Sequence, residues 1–414
     1  MDTIFTNVAG LDVHQKTVVA CVRRSQPQGG FVEEVRTFGT MTNDLLDLSD
    51  WLEKVGITHV AMESTGVLWK PIWNILDGRF ELLLVNPREL KQVPGRKSDV
   101  NDAQWIAHLL QCGLLRSSFV PSRPQRELRD LTRQRTQLVR EQTRIANRLH
   151  KTLEDANIKL GAVASDILGK SGRNMLNAIV AGERDPKKLA ELAEKRLRGK
   201  IPELRQALRG HLTEHHVFLL QTLLEHLDFL DQQITVFSQR IAVCLAPFLS
   251  PEQMKRLDAI PGLNRRTIEN VVAEIGTDMS RFPDADHLSS WAGMCPGNEE
   301  SAGKRIRHRT THGNGWLRSA LTEAAWAASH TKRSYLGVQY RRLAARRGRK
   351  RALTAVGHTL LVILYQMLKA EVSYKDLGPD FFDKLKPEQY RRYLVKRLES
   401  LGFTVEIKPK DSAA

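Results

Sequence analysis

The 414 residues carry 63 Lys and Arg against 47 Asp and Glu, a formal net charge of +16 with a pI near 9.8. So basic a chain has nucleic acid as its first expected partner, because neutralised phosphates supply most non-specific affinity; an anionic membrane surface is the competitor. No apolar stretch reads as long enough to span a bilayer, no signal peptide opens the chain, and Cys21, Cys112, Cys244 and Cys295 form no CxxC pair, which argues against a zinc module and for a reduced, cytoplasmic protein.

The length predicts two or three domains. In the first, 1–118, Ile4 to Val13 is strand-like, Thr17 to Val22 is a β-branched run, and Val32 to Phe38 alternates after the Gly29-Gly30 turn, so three antiparallel strands are expected. Thr42 and Asn43 are candidate caps for a helix to about Lys54, stopped by Gly56. A strand His59–Met62, a helix near Leu68–Leu76 and a strand Leu82–Val85 follow. Ser98 or Asp99 then caps a helix through Ala103, Ile106, Leu109 and Leu110. Three antiparallel strands followed by α, β, α, β, α is the element order of an RNase H-like fold.

Residues 119–249 read as a helical region. Arg126 to Leu153 is one long helix, with Arg126, Arg129, Arg133, Arg140, Arg144, Arg148 and Lys151 close to one stripe. From Val217, Leu220, Leu227, Ile234 and Ile241 repeat every seven residues, and Leu223, Leu230, Phe237 and Cys244 fill the second heptad position. That is a coiled-coil seam, buried either on the first long helix or against a second copy. Residues 161–210 read as helices and loops without an evident order. His211, His215 and His216 read as surface histidines. A mostly helical region, 250–372, comes next, its best apolar run around Leu360 to Leu364 forming a short core helix, and the tail is 373–414.

Four acids stand out. Asp12 lies inside the first strand between Leu11 and Val13, where a carboxylate is costly unless paired or holding a cation. Glu63 ends the strand from His59, and Asp99 and Asp102 are spaced to share a helix face. Such a grouping suits Mg²⁺ or Mn²⁺, two of which, about 4 Å apart, stabilise the attacking and leaving oxygens of phosphoryl transfer. Taken singly, Asp99 and Asp102 read equally as acids at a helix N-terminus. Together, in this order, the four favour a metal site.

In the third region, Ile260-Pro261-Gly262-Leu263 resembles a helix-hairpin-helix turn, in which Gly262 would let backbone N–H groups approach a phosphate. Asn298 to Arg305 reads as a polar loop carrying Ser301. It leads into Arg307, His308, Arg309, His312, Asn314 and Arg318. Residues 301–369 hold 15 Lys or Arg against one acid, Glu323, and seven of these cations fall between Arg341 and Arg351. Lys304, Arg305, Arg307, Arg309, Asn314, Arg318, Arg341, Arg342, Arg346 and Arg347 are therefore candidate nucleic-acid contacts. Cations around Ser301 would hold a phosphate while its hydroxyl attacks. On composition alone, a plain phosphate-binding loop explains Ser301 as well.

The ordered motifs GLDVHQKT, AMESTG, NPRELKQVPGRKSDVNDAQWIA, IPGL…EIG…RFPDADHLSSWAGMCP, NEESAGKR and THGNGWLRSAL resemble the DEDD-type insertion-sequence transposases, family one-ten, over residues 5 to about 115 and about 255 to 330. The resemblance implies a RuvC-like, RNase H-fold domain holding Mg²⁺ through Asp12, Glu63, Asp99 and Asp102. It also implies a helical coiled-coil region and a mostly helical C-terminal transposase domain in which Ser301 is the nucleophile joined covalently to DNA. A site composed of both parts, a dimer or tetramer, and a structured guide RNA bridging target and donor DNA come with it. Residues 161–210 and the tail after Ser373 depart from the shorter members. A Holliday-junction-type nuclease without a covalent intermediate, and a non-enzymatic basic architectural protein, are the alternative readings. A membrane-surface protein is not supported, since the basic regions lack a large apolar helix face.

Overall fold

The computed structural model describes residues 4–26, 28, 30–64, 66–87, 90, 101–296, 300, 301, 304, 305, 310, 313–385 and 387–407, with backbone alone at 300, 301, 304 and 305. The chain divides into two compact units, Met1–Pro121 and Ser122–Ala414.

In the first unit, β1 (Asn7–Val13), β2 (Thr17–Ser25) and β3 (Phe31–Gly39) make an antiparallel meander, followed by α1 (Thr42–Lys54). Next come β4 (His59–Glu63), α2 (Trp69–Leu76), β5 (Glu81–Val85) and α3 (Asp102–Gln111). β4 joins β1 in parallel and β5 joins β4 in parallel, giving the order β3-β2-β1-β4-β5. This is the element order that the alternation and turn residues predict.

Side chains alternate across a strand, so each strand feeds two cores. Ala9, Leu11, Val13, Val18, Ala20, Val60 and Met62 face one side, beneath Leu45, Leu48 and Leu52 of α1 and Ile72 and Leu76 of α2. Val8, Ala61 and Val85 face the other, beneath Ile106, Leu109 and Leu110 of α3. Gly56, at φ +74°, ends α1 as predicted. Neither Thr42 nor Asn43 caps that helix: the backbone N–H of Met41 donates to Asp44 Oδ2 at 3.3 Å.

The second unit is built on α4 (Arg123–Asp155) and, after α5 (Leu160–Val163), α6 (Lys170–Val180), α7 (Pro186–Glu191), a 3-10 turn and α8 (Ile201–Ala207), on α9 (Glu214–Leu245). The long helices run antiparallel. His216 Nε2 lies 2.9 Å from Asp155 Oδ2, Gln142 Nε2 donates to Asp231 Oδ1 at 2.5 Å, and Leu128 packs with Ile241 and Leu245. The heptad seam is thus filled from within the chain, Leu220, Leu227, Leu230 and Ile234 packing with Leu138, Ile145, Leu149 and Leu153. Residues 161–210 close the far end of that core through Ile167, Met175, Leu176, Leu189 and Leu204. His216 is buried, not on the surface, and its Nδ1 sits 2.8 Å from the Thr213 hydroxyl at the start of α9.

A separate core joins the other ends of α4 and α9 to α10 (Pro251–Asp258), α11 (Arg265–Ile275), α12 (Ala285–Trp291), α13 (Gly315–His330), α14 (Tyr335–Arg347) and α15 (Arg349–Ala370). The run at Leu360–Leu364 belongs to this 22-residue helix, not a short one, and by length and composition the helix would suffice to cross a membrane. Its Val356, Leu360, Leu361 and Leu364 instead lie in the core. The polar loop expected around Ser301 contains a hairpin: β6 (Glu300–Ser301) pairs antiparallel with β7 (Lys304–Arg305). In the tail, α16 (Phe381–Leu385) stacks Phe382 on Tyr335 at 5.2 Å, and α17 (Pro387–Ser400) buries none of its residues.

Candidate active site and nucleic-acid surface

The carboxylates are positioned by strand register and one close helix contact. Leu11 pairs with Met62 across the parallel β1–β4 ladder, so Asp12 and Glu63 are the next residues on neighbouring strands, both at carboxyl ends. Asp12 shares the side of Gly10, and its antiparallel partner Val19 packs on Ala103 and Ala107 of α3. Glu63 pairs with Val85, whose side chain lies under α3. Both acids therefore point to the α3 face of the sheet.

α3 runs back along that face. Its last residue accepts at Gln111 O from Ile4 N and Phe5 N, near the start of β1, so its first residue, Asp102, lies toward the strand ends that carry Asp12 and Glu63. Gly10 makes the approach possible: a Cβ there would stand 2.3 Å from Ala103 O and 2.4 Å from Ala107 N. The first turn is then held from the sheet, Gln104 Nε2 donating to Glu33 Oε1 at 2.5 Å, and the last turn by Arg23 Nε donating to Gln111 Oε1 at 3.1 Å. Arg23 and Glu33 themselves pair at 2.6 Å.

Asp12, Glu63 and Asp102 thus share one end and one face of the sheet, each half-buried. Asp99 lies outside the described residues. α3 starts at Asp102 with Asn101 as its cap, Asn101 Oδ1 accepting from Ala103 N at 3.1 Å; this corrects the expectation that Ser98 or Asp99 caps a helix bearing both aspartates. Among the described residues no three acidic, His or Cys side chains close to metal-binding spacing. Sequence reading missed one neighbour: His14 Nε2 lies 3.1 Å from Asp12 Oδ2, with the imidazole 60% exposed. Its place two residues after Asp12, one past the end of β1, was the available signal.

In the second unit the Ser301 hairpin is bracketed by backbone contacts. Pro296 bridges Thr310, and Gly313 lies so close to Gly293 that a Cβ on it would stand 2.2 Å from Gly293 N. Lys304 and Arg305 lie on β7, while Arg307 and Arg309 lie outside the described residues. Asn314 is engaged within the chain. Its Oδ1 accepts from Trp316 N and Leu317 N at the start of α13, and its Nδ2 donates to Glu274 Oε2 at 2.6 Å. Glu274, 2% exposed, also receives Arg133 Nε at 2.7 Å and lies 3.5 Å from Arg129 Nε. Burial pulls the Arg129 guanidinium down to about 10, against the opposing pull of Glu274.

Those two arginines are drawn out of the basic stripe expected on α4, while Arg140 stays exposed with its guanidinium over Trp316 at 5.2 Å. At Gly262, φ is +89° and a Cβ would stand 2.3 Å from Ala324 O, so packing on α13 accounts for the glycine. Arg318 is half-buried, whereas Arg341, Arg342, Arg346 and Arg347 are exposed around the α14–α15 junction. Arg342 is tethered there by Asp383 at 3.0 Å.

Comparison with known proteins supplies the functional class. Residues 9–158 match the DEDD transposase family of IS110 elements, and residues 254–341 match the transposase family IS116/IS110/IS902. The chain carries IS110-type transposase domains. DNA transposition is the general activity these domains support. A "probable family 20 transposase" of Pseudomonas aeruginosa PAO1 is 24% identical over 280 residues, covering 67% of this chain and 73% of that protein. The first transposase domain contains Asp12, Glu63 and Asp102, and the second contains Ser301. A Thermus thermophilus RuvC chain, from a complex with Holliday junction substrate, aligns at TM-score 0.20 and 13% identity over 27% of this chain and 100% of its own. At that score the two folds are not equated.

Proposed function

We propose that this protein cuts and rejoins the DNA of an insertion sequence through a serine nucleophile, with carboxylates of an RNase H-like, RuvC-like domain supporting the reaction. The observation that carries the reading is the convergence of Asp12, Glu63 and Asp102 on one end and one face of the sheet. Hard oxygen donors of this kind suit Mg²⁺ or Mn²⁺. Asp12, Glu63, Asp99 and Asp102 would hold the ion, which when bound stabilises charge on the scissile phosphate and its departing oxygen.

In this reading Ser301 Oγ attacks the phosphorus. A serine–phosphate bond forms as the bond to one nucleotide oxygen breaks, and attack by a second DNA hydroxyl later frees the serine. Lys304 and Arg305, on the strand paired with Ser301, supply positive charge to that phosphate. His14 orients the Asp12 carboxylate. DNA of the element ends and the target, a structured guide RNA, and assembly as a dimer or tetramer belong to the same reading, on the strength of the motif resemblance. A Holliday-junction-type nuclease is the second reading, favoured by the acids gathering within one unit without Ser301.

An element-excision assay in cells tests the proposal. Asp12→Asn, Glu63→Gln, Asp102→Asn and Ser301→Ala should each lower excision at least ~10²-fold. Full excision by Ser301→Ala would leave the nuclease reading, and full excision by the three acid variants would remove the metal site.

A further inference from the structure

In the second unit, α4, α9 and α11 enclose an open hollow lined by Arg135, Arg265, Arg266, Glu269 and Gln239 among others. Two guanidiniums meet one carboxylate there, and a third lines the same hollow. Arg135, 2% exposed, donates from Nη1 to Glu269 Oε2 at 2.5 Å and from Nη2 to Asn270 Oδ1 at 3.1 Å, while its buried Nε has no partner among the described residues. Arg265 Nε donates to the other oxygen of Glu269 at 2.9 Å. Arg266 is exposed beside them. Burial pulls the Arg135 guanidinium below its ordinary value and Glu269 pulls it back up, while Arg266 and Arg265 push it down again, as converging like charges must.

The backbone adds to the imbalance. Arg265 and Arg266 open α11, where the helix dipole already disfavours cations. The cap Asn264 accepts from Thr267 N at 2.9 Å, and the helix ladder begins with Ile268 N to Asn264 O, leaving the first two amides of the helix ahead of it. A buried, partly unpaired arginine, two cations on the wrong end of a helix and an open hollow together lack one component, an anion.

We propose that this hollow is a phosphate-binding subsite, and that its ligand is a backbone phosphodiester of a nucleic-acid strand lying across α9 and α11. The hollow is open and edged by the exposed Gln239 and Arg266, which suits one phosphate of a passing polymer. The strand assignment rests on the reading of this chain as a DNA-acting transposase. The contact uses neither Ser301 nor the sheet acids, and it carries no sequence information.

The test is the salt dependence of duplex DNA binding by the full chain, with inorganic phosphate binding measured alongside by calorimetry. Arg266→Gln should weaken binding to all sequences and lower the slope of log K against log salt by about one; Arg265→Gln with Arg266→Gln should lower it by about two. Arg266→Lys, which keeps the charge, should restore the slope. Because Arg266 is exposed, the thermal melt should not move. An unchanged slope in the double variant overturns the subsite. Phosphate binding that Arg266→Gln removes without changing the slope makes it a free-anion site and overturns the strand assignment. Wild-type protein with no salt-dependent DNA binding overturns both the subsite and the transposase reading on which it rests.

Discussion

Glu274 illustrates how much of the second unit depends on single side chains. It is 2% exposed and serves Arg129, Arg133 and Asn314, so one carboxylate ties α4 to α11 and to the start of α13. Removing one partner of a buried pair leaves the others desolvated and unpaired, so Glu274→Ala should cost about 3–5 kcal/mol in chemical denaturation. A change below ~1 kcal/mol would show that water replaces the carboxylate. Cys21 gives a pH test in the first unit. Burial first, then the nearby Glu33, raises its thiol from 9.0 to about 12. A folded value above the unfolded one means that the contribution is present below pH ~9 and is lost as pH rises toward ~12. Native protein should therefore shield Cys21 from thiol reagents at pH 8, and Cys21→Ala should flatten the alkaline loss of stability.

At this scale the sequence was most legible where a residue violated its surroundings. Asp12 in an apolar strand is such a case, and it lies one residue before the end of β1. Asn314 was legible only in part: an Asn before a helix is a candidate cap, but nothing local says that its Nδ2 will meet a buried acid forty residues earlier.

Among the elements, α3 decides whether the acids meet. A side chain at Gly10 would collide with backbone atoms of α3 that cannot move without the whole helix. Gly10→Val should destabilise the first unit by about 1–3 kcal/mol, and should lower strand cleavage even under conditions where the protein stays folded, since Asp102 shifts with the helix. Wild-type cleavage with a normal melt would mean that the Asp102 position is not set by this contact. Strand alternation and glycine stops made the sheet legible, and the heptads made α9 legible. The start of α3 was misread because Ser98, Asp99 and Asn101 are all good caps, and only packing against the sheet selects the last. Residues 161–210 were unreadable for a related reason: each helix is short, and none buries its apolar face except in the core shared with α4 and α9.

For the whole molecule, each unit holds its own buried cores, one on each face of the sheet in the first and two joined through α4 and α9 in the second. Calorimetric unfolding should therefore depart from a single two-state transition; one transition with equal calorimetric and van't Hoff enthalpies would mean that the units unfold together. The heptad pattern alone left open whether α9 meets a second copy, and the antiparallel match to α4 answers for its apolar seam. Net charge announced nucleic acid, but not where the charge remains available, since Arg129, Arg133 and Arg135 are bound internally while Arg341, Arg346 and Arg347 stay exposed.

In the proposed function, carboxylates on the sheet and a serine on the hairpin act on the same DNA strand. The most direct measurement is a denaturing gel of protein incubated with element-end DNA, candidate guide RNA and Mg²⁺, read for protein that stays attached to a strand. An attached species that is lost in both Ser301→Ala and Asp12→Asn is the predicted result. Cut DNA with no attached protein, at equal yield in wild type and Ser301→Ala, would contradict the account.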